Sequence, residues 1–253
     1  YAQSGLSRSG LEQSVGADLV MAASISGVCG RRVSTRQVDG TPLLYVASAS
    51  FDGGMRILKG FVDRVLSSAG LILLSPLIIG LAIAVKSTSP GPAFYRQERV
   101  GRDGTTFSIW KFRSMRTGSD AELMRLLAEQ GTDSEPLFKL KCDDRITPLG
   151  KVMRKWSLDE IPQLFNVALG DMSLVGPRPQ RPAEVALYTG AAGRRLKAKP
   201  GITGLWQVSG RSDLAWSEAV KLDLYYVENW SPTLDMVLLL RTIKVVLTGK
   251  GAC

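Results

Sequence analysis

"SLDEIPQLFN", Ser157 to Asn166, sets two adjacent carboxylates, Asp159 and Glu160, just ahead of Pro162, and "GDMSLVGPRP" follows from Gly170 to Pro179. Two readings compete for the first stretch. Ser157-x-x-Glu160 matches a capping box, in which a serine hydroxyl and a glutamate side chain satisfy the first amides of a helix. Leu158, Ile161, Leu164, Phe165 and Ala168 then fall at roughly helical spacing. A capping box has no use for Asp159, however, and proline fits poorly beyond the first helical turn. The other reading is a catalytic pair.

The surroundings favour the second. Lys111 and Arg113 lie in "WKFRSM", Arg145, Lys151, Arg154 and Lys155 precede the pair, and Arg178 stands in "VGPRP". A charge run is ordinarily a solvated face. "GPRP", however, confines the backbone around a planar guanidinium that can grip phosphate in a bidentate manner. A carboxylate nucleophile, a second carboxylate for a hard cation and a ring of cationic groups suit phosphoryl transfer at an anionic diphosphate. Mg²⁺ takes oxygen ligands and bridges to substrate phosphates, so it is the expected metal.

Composition narrows the chemistry further. The 253 residues are 45% hydrophobic, ample for a folded core, and the net charge of +9 points to an anionic partner. There is no histidine, which removes Ser-His and Cys-His nucleophile pairs and His-based zinc sites. Cys29, Cys142 and Cys253 are widely spaced and form no C-x-x-C, as in a reducing compartment. Carboxylates, lysine, arginine or a hard metal must carry any catalysis.

Val65 to Val85, "VLSSAGLILLSPLIIGLAIAV", contains no charged residue. About 21 helical residues reach ~30 Å, the thickness of a bilayer core. Ser75-Pro76 interrupts the run near its middle. Arg56, Lys59 and Arg64 precede it, and Lys86, Arg96, Arg99 and Arg102 follow. A spanning helix carries Lys and Arg mainly on one side. Symmetric flanks around a central proline describe a re-entrant, Pro-kinked helix that dips into one leaflet and returns.

The remaining segments read in order. The chain begins at Tyr1, as a piece of a longer protein would, and Gly16–Ser24 and Gly40–Ser48 look like strands. Ala93–Gly101 and Thr105–Phe112 form a hairpin about the Gly101–Gly104 turn. A short polar helix is expected over 119–130 and an amphipathic turn over 143–155. "AEVALYTGAAGRRL" reads as helix and "KPGITGLWQVSGR" as loop. Leu214–Asn229 and Thr233–Leu247 read as helices, the last carrying Arg241 and Lys244 near its end. That last helix suits either the membrane interface or the core. Trp206, Trp216 and Trp230 are read as partly buried core residues. Asp143 and Asp144 read as a solvated loop pair, and Arg211 stays outside the firm set. The fold class is α/β, mainly helical with a small sheet or hairpin.

Five pieces occur together in order: the Ser75-Pro76 anchor, "SPGPAFYRQERVG", "FSIWKFRSM", "SLDEIPQLFNVALGDMSLVGPRP" and "KPGITGLWQVSGR". From about Lys59 to Lys250 the chain resembles the bacterial sugar transferase family of monotopic phosphoglycosyl transferases. The resemblance implies residues 1–50 as the remnant of a preceding nucleotide-binding-like domain, 51–86 as a re-entrant anchor and 87–253 as a catalytic domain. It implies transfer of a sugar 1-phosphate from a UDP-sugar, UDP-glucose or UDP-galactose in many long members, to undecaprenyl phosphate with release of UMP. Asp159 would be the nucleophile of a covalent intermediate. Glu160 would bind Mg²⁺ and help deprotonate the acceptor, and Lys111, Arg154 and Arg178 would contact phosphate. The implied setting is the cytoplasmic face of the bacterial inner membrane, in contact with membrane lipids, and a homodimer is compatible with it.

Two rivals remain. A nucleic-acid binder should show a recognisable module or aromatic-interleaved basic stripes, and neither is present, so no nucleic acid is expected. A non-enzymatic membrane adaptor explains the charge and the anchor but not Asp159-Glu160 among arginines. Within enzymes the alternative is a glycosyltransferase that releases UDP instead of UMP.

Overall fold

The computed structural model describes residues 33–38, 41–46, 53–118, 145–188, 190–210 and 215–248. The expected strand at 16–24, the helix at 119–130, Asp143, Asp144 and Arg211 lie outside the described residues. Strands β1 (Val33–Val38) and β2 (Thr41–Val46) pair antiparallel, with Val38 opposite Thr41; β2 falls within the expected strand at 40–48.

Helix α1 (Gly54–Thr88) is longer at both ends than the uncharged run and has 35 residues, about 52 Å at 1.5 Å each. Among the described residues it is the one helix long and apolar enough to cross a membrane by length and composition. Pro76 stands inside it and cannot donate to the Ile72 carbonyl four residues back. Ser75 Oγ donates to that carbonyl at 2.7 Å, so the freed acceptor is satisfied within the helix.

One side of α1 lies on the domain along most of its length. Asp63 Oδ2 accepts from Ser173 Oγ at 2.6 Å, and Lys59 pairs with Asp235 at 2.6 Å. Gly70 leaves room for Leu164, and Ile78 and Val85 are buried with Phe112 and Met153. At the far end Arg113 donates to the Ser89 carbonyl at 2.7 Å and to the Pro90 carbonyl at 2.8 Å, neutralising the helix C-terminus. Arg113 is therefore a clamp on α1, not a member of the cationic ring around Asp159. The opposite side of α1 is apolar and exposed from Met55 to Ile83, with Ile72 and Leu73 nearly 80% open at 77% and 79%.

Strands β3 (Phe94–Val100) and β4 (Thr106–Phe112) form the expected hairpin, with Tyr95 opposite Lys111 and Arg99 opposite Phe107. Its turn holds Asp103 in the left-handed region (φ 56°), followed by Gly104 at φ 81°. Helices α2 (Pro148–Lys155) and α3 (Gln163–Leu169) flank the carboxylate pair. Thr147 caps α2 by accepting from the Gly150 amide at 2.9 Å, with Pro148 in the first turn.

The stretch after Lys199, read above as a loop, instead contains β6 (Gly201–Thr203) and α5 (Leu205–Ser209). β6 lies parallel to β5 (Ser173–Val175), pairing Ser173 with Gly201 and Val175 with Thr203. Between them come α4 (Pro182–Ala186) and a 3₁₀ segment, Gly190–Lys197, so the helix expected there is formed in two pieces. Helices α6 (Trp216–Asn229) and α7 (Pro232–Thr248) follow as expected. Val175, Ala198, Tyr226, Val227 and Leu238 make the core beneath β5 and β6. α7 buries Leu238 but leaves Met236, Leu240, Ile243 and Leu247 exposed, so it is core-packed on one side only.

Candidate active site

The capping box does not form. Ser157 is left-handed (φ 54°) and its side chain makes no cap bond; Leu158–Glu160 is a single 3₁₀ turn, and α3 starts only after Pro162. A serine held at positive φ costs roughly 1–3 kcal/mol, a conformation that tends to occur at functional sites. The reversal has a local cause: the Ser157 amide bonds the Arg154 carbonyl at 3.1 Å, closing α2, and the Glu160 amide bonds the Ser157 carbonyl at 3.2 Å. Leu158 and Ile161 pack into the cluster around Phe112 and Met153. Fastened on both sides by apolar contacts, Asp159 and Glu160 are held outside any α-helix.

Glu160 Oε1 takes an ion pair from Lys111 Nζ at 2.8 Å. The hairpin brings Lys111 there because α3 is bolted to β4: Asn166 Oδ1 accepts from the Trp110 amide at 3.0 Å and Asn166 Nδ2 donates to the Ser108 carbonyl at 2.8 Å. Asp159 is only 9% exposed. Burial first, then the neighbouring Glu160 charge, pushes its carboxyl above the ordinary aspartate value, while Lys111 and Arg154 pull it part of the way back. Arg154 Nε is oriented by Ser114 Oγ at 3.0 Å. Lys151 and Lys155 are exposed and form the solvated face that a charge run ordinarily makes.

Arg178 reaches the site from the other side. The Gly176 amide donates to the Thr203 carbonyl at 2.8 Å and the Gly201 amide to the Pro177 carbonyl at 2.9 Å. A side chain at Gly176 or Gly204 would run into the backbone of the other segment, so this close approach requires glycine. The loop delivers the Arg178 guanidinium over the Trp206 ring, 5.0 Å from its centroid. Trp206 itself is buried, as expected.

An open pocket of about 330 Å³ brings together Lys111, Glu160 and Arg178, with Arg99, Gln163 and Gln207 on its wall. Asp159 and Arg154 do not line it; Asp159 is joined to it electrostatically through Glu160 and Lys111, which do. Gln163, Asn166 and Arg99 are the site residues that sequence reasoning missed. Arg99 was legible in principle, since Tyr95, Gln97 and Arg99 alternate onto one face of β3 and the hairpin pairing puts Lys111 on the same face. Among the described residues no cluster of three or more metal-ligating side chains exists. Glu160, the carboxylate that faces the pocket, together with an anionic substrate would meet the needs of Mg²⁺, which keeps several waters and binds through one or two carboxylates plus phosphate.

Residues 54–249 match the family model described as bacterial sugar transferase, from the first residue of α1 to just past the end of α7. The undecaprenyl-phosphate galactose phosphotransferase of Salmonella typhimurium is 49% identical over 200 residues, covering 78% of this chain and 42% of that protein. The exopolysaccharide production protein ExoY of Sinorhizobium fredii is 41% identical, covering 78% of this chain and 88% of that one. A UDP-glucose:undecaprenyl-phosphate glucose-1-phosphate transferase of Klebsiella pneumoniae is 37% identical over 86% of this chain and 46% of its own length. The chain thus spans about half of the longer relatives and nearly all of ExoY. With the match enclosing both walls of the pocket and the helix packed beneath it, the chain belongs to the bacterial sugar transferase family.

Proposed function

We propose that this chain transfers a sugar 1-phosphate from a UDP-sugar to undecaprenyl phosphate, releasing UMP, through a covalent intermediate on Asp159. The observation that carries the reading is the nearly buried Asp159 carboxyl held beside the Lys111–Glu160 pair at a pocket whose far wall bears Arg178. An Asp159 oxygen attacks the β-phosphorus, and the bond from that phosphorus to the bridging oxygen breaks. The bridging oxygen leaves as part of UMP with its electron pair. A phosphate oxygen of the polyprenyl acceptor then attacks the same phosphorus, and the Asp159–phosphorus bond breaks to restore the carboxylate. Lys111 and Arg178 neutralise charge on the phosphoryl groups, and Arg154 keeps the carboxylate available. Glu160 is the residue that would hold Mg²⁺, which supplies charge neutralisation on the diphosphate when bound. Relatives named for galactose and glucose phosphate transfer support the reaction class and leave the sugar to experiment.

The packing of α1 supports the membrane reading. Its N-terminal half meets the domain through Lys59 and Asp63, and its C-terminal end through Arg113. A helix fastened to one body at both ends, with an exposed apolar back, suits burial in a single leaflet. In this arrangement the domain rests on the cytoplasmic face of the inner membrane, where the acceptor phosphate and a soluble nucleotide can meet.

The test is UMP release in nanodiscs with Mg²⁺ and a panel of UDP-sugars, with and without undecaprenyl phosphate. A stoichiometric burst without acceptor and its loss in Asp159→Asn are expected. UDP as product, or normal turnover by the variant, would overturn the reading.

A further inference from the structure

Arg99 stands out among the charged side chains that the mechanism leaves without a task. It is 9% exposed yet lines the pocket, and its Nε has no hydrogen-bond partner among the described residues. Nη1 reaches the Pro179 carbonyl at 3.4 Å, Nη2 bonds Gln97 Oε1, and the nearest acid, Glu184, is 3.8 Å away. Glu184 is already held by Arg181 at 3.0 Å. Arg99 and Arg181 therefore share one carboxylate, with the Arg178 charge close to Arg99, and the local charge calls for an anion. Burial and the neighbouring Arg178 charge lower the Arg99 guanidinium to about 10, the mark of a cation held without full compensation.

Its place in the pocket says which anion. Arg99 lies on the same hairpin face as Lys111 but four positions beyond Tyr95, the partner of Lys111, about 13 Å along the strand. The pocket therefore has one cationic end beside the carboxylate pair and another at Arg99 and Arg178. In-line displacement sends the leaving oxygen away from the nucleophile. Next to Arg178 a shallow, solvent-open recess continues past Gly101, Gln180 and Tyr188, on the side of Arg178 away from the carboxylate pair.

We propose that Arg99, together with Arg178, binds the α-phosphate of the UDP-sugar and retains it as UMP after the first step. This rests on the reaction proposed above. Arg99 is then a nucleotide ligand, idle in the second half-reaction, because UMP has left before the acceptor is consumed.

The experiment compares wild type, Arg99→Lys, Arg99→Gln and Lys221→Gln for steady-state UMP release and for product inhibition by added UMP. Loss of a charge-assisted contact should raise the UMP inhibition constant and the UDP-sugar KM of Arg99→Gln by about ten- to a hundredfold. The KM for undecaprenyl phosphate should be unchanged. Arg99→Lys should fall between wild type and Arg99→Gln, and Lys221→Gln, exposed on α6 and outside the pocket, should stay within about twofold of wild type. Direct titration of UMP against the folded variants, with thermal melting alongside, separates lost binding from lost fold. Wild-type turnover with unaltered UMP inhibition in Arg99→Gln overturns this assignment alone. No UMP release by wild type overturns the reaction and the assignment together.

Discussion

Lys111 Nζ meets Glu160 Oε1 at 2.8 Å, across the sequence distance from strand β4 to the 3₁₀ turn. One contact thus couples the hairpin to the carboxylate pair and sets the charge that Asp159 experiences. In the proposed reaction Asp159 must be ionised to attack phosphorus. Lys111 lowers its pKa and Glu160 raises it. Lys111→Met should therefore move the acid limb of the single-turnover rate to higher pH, and Glu160→Gln should move it lower. A shift of both limbs in the same direction would contradict this account.

Asp159 also has a consequence for stability. Its carboxyl is raised in the fold, chiefly by burial, so the native state holds that proton more tightly than the unfolded chain. The associated stability is present below the ordinary aspartate value and is lost as pH rises through the raised one. Asp159→Asn should melt above wild type at pH 7 to 8, with the gap closing as pH falls toward 4. Its UMP release should drop by about a thousandfold or more.

Trp206 acts through Arg178. With the guanidinium 5.0 Å from the ring centroid, Trp206→Phe keeps an aromatic face and should change the UDP-sugar KM little. Trp206→Leu removes a contact of about 0.5–2 kcal/mol, so the KM should rise roughly two- to thirtyfold. Rescue by the aromatic variant distinguishes positioning of Arg178 from simple core filling.

Arg195 and Asp223 form a buried ion pair, at 3% and 1% exposure. Asp223→Ala leaves that guanidinium uncompensated and should cost about 3–5 kcal/mol in urea unfolding.

The topology of α1 is open to labelling. A cysteine at Gly54 meets no neighbouring atom, and Ser87 is exposed. With Cys29, Cys142 and Cys253 replaced, Gly54→Cys and Ser87→Cys should react with an impermeant thiol reagent from the same side of an oriented vesicle. Reaction from opposite sides would show a crossing helix.

The sequence was most informative where a signal was long or local. The uncharged run marked α1, and the Gly101–Gly104 turn marked the hairpin. The last two helices followed from their apolar spacing. It failed at β5 and β6, because three-residue parallel strands separated by two helical segments carry no periodicity of their own. It also offered a capping box at Ser157 that the left-handed backbone there forbids. Lys111, Glu160 and Arg178 do converge on one pocket, and Arg154 and Asp159 neighbour it. Arg99 looked like one of several flanking positive charges, since only strand pairing shows which face it occupies.

In the single-leaflet arrangement proposed for α1, fastening both of its ends to one body frees its length from bilayer thickness. A crossing helix must match the hydrocarbon core and tilts or strains the lipid when it does not. Here the dimension that matters is the domain's own, set by the separation of Asp63–Ser173 from Arg113–Ser89. Activity in bilayers of short and long acyl chains should accordingly be alike, and in that arrangement the same chain would serve membranes of differing lipid without retuning its anchor.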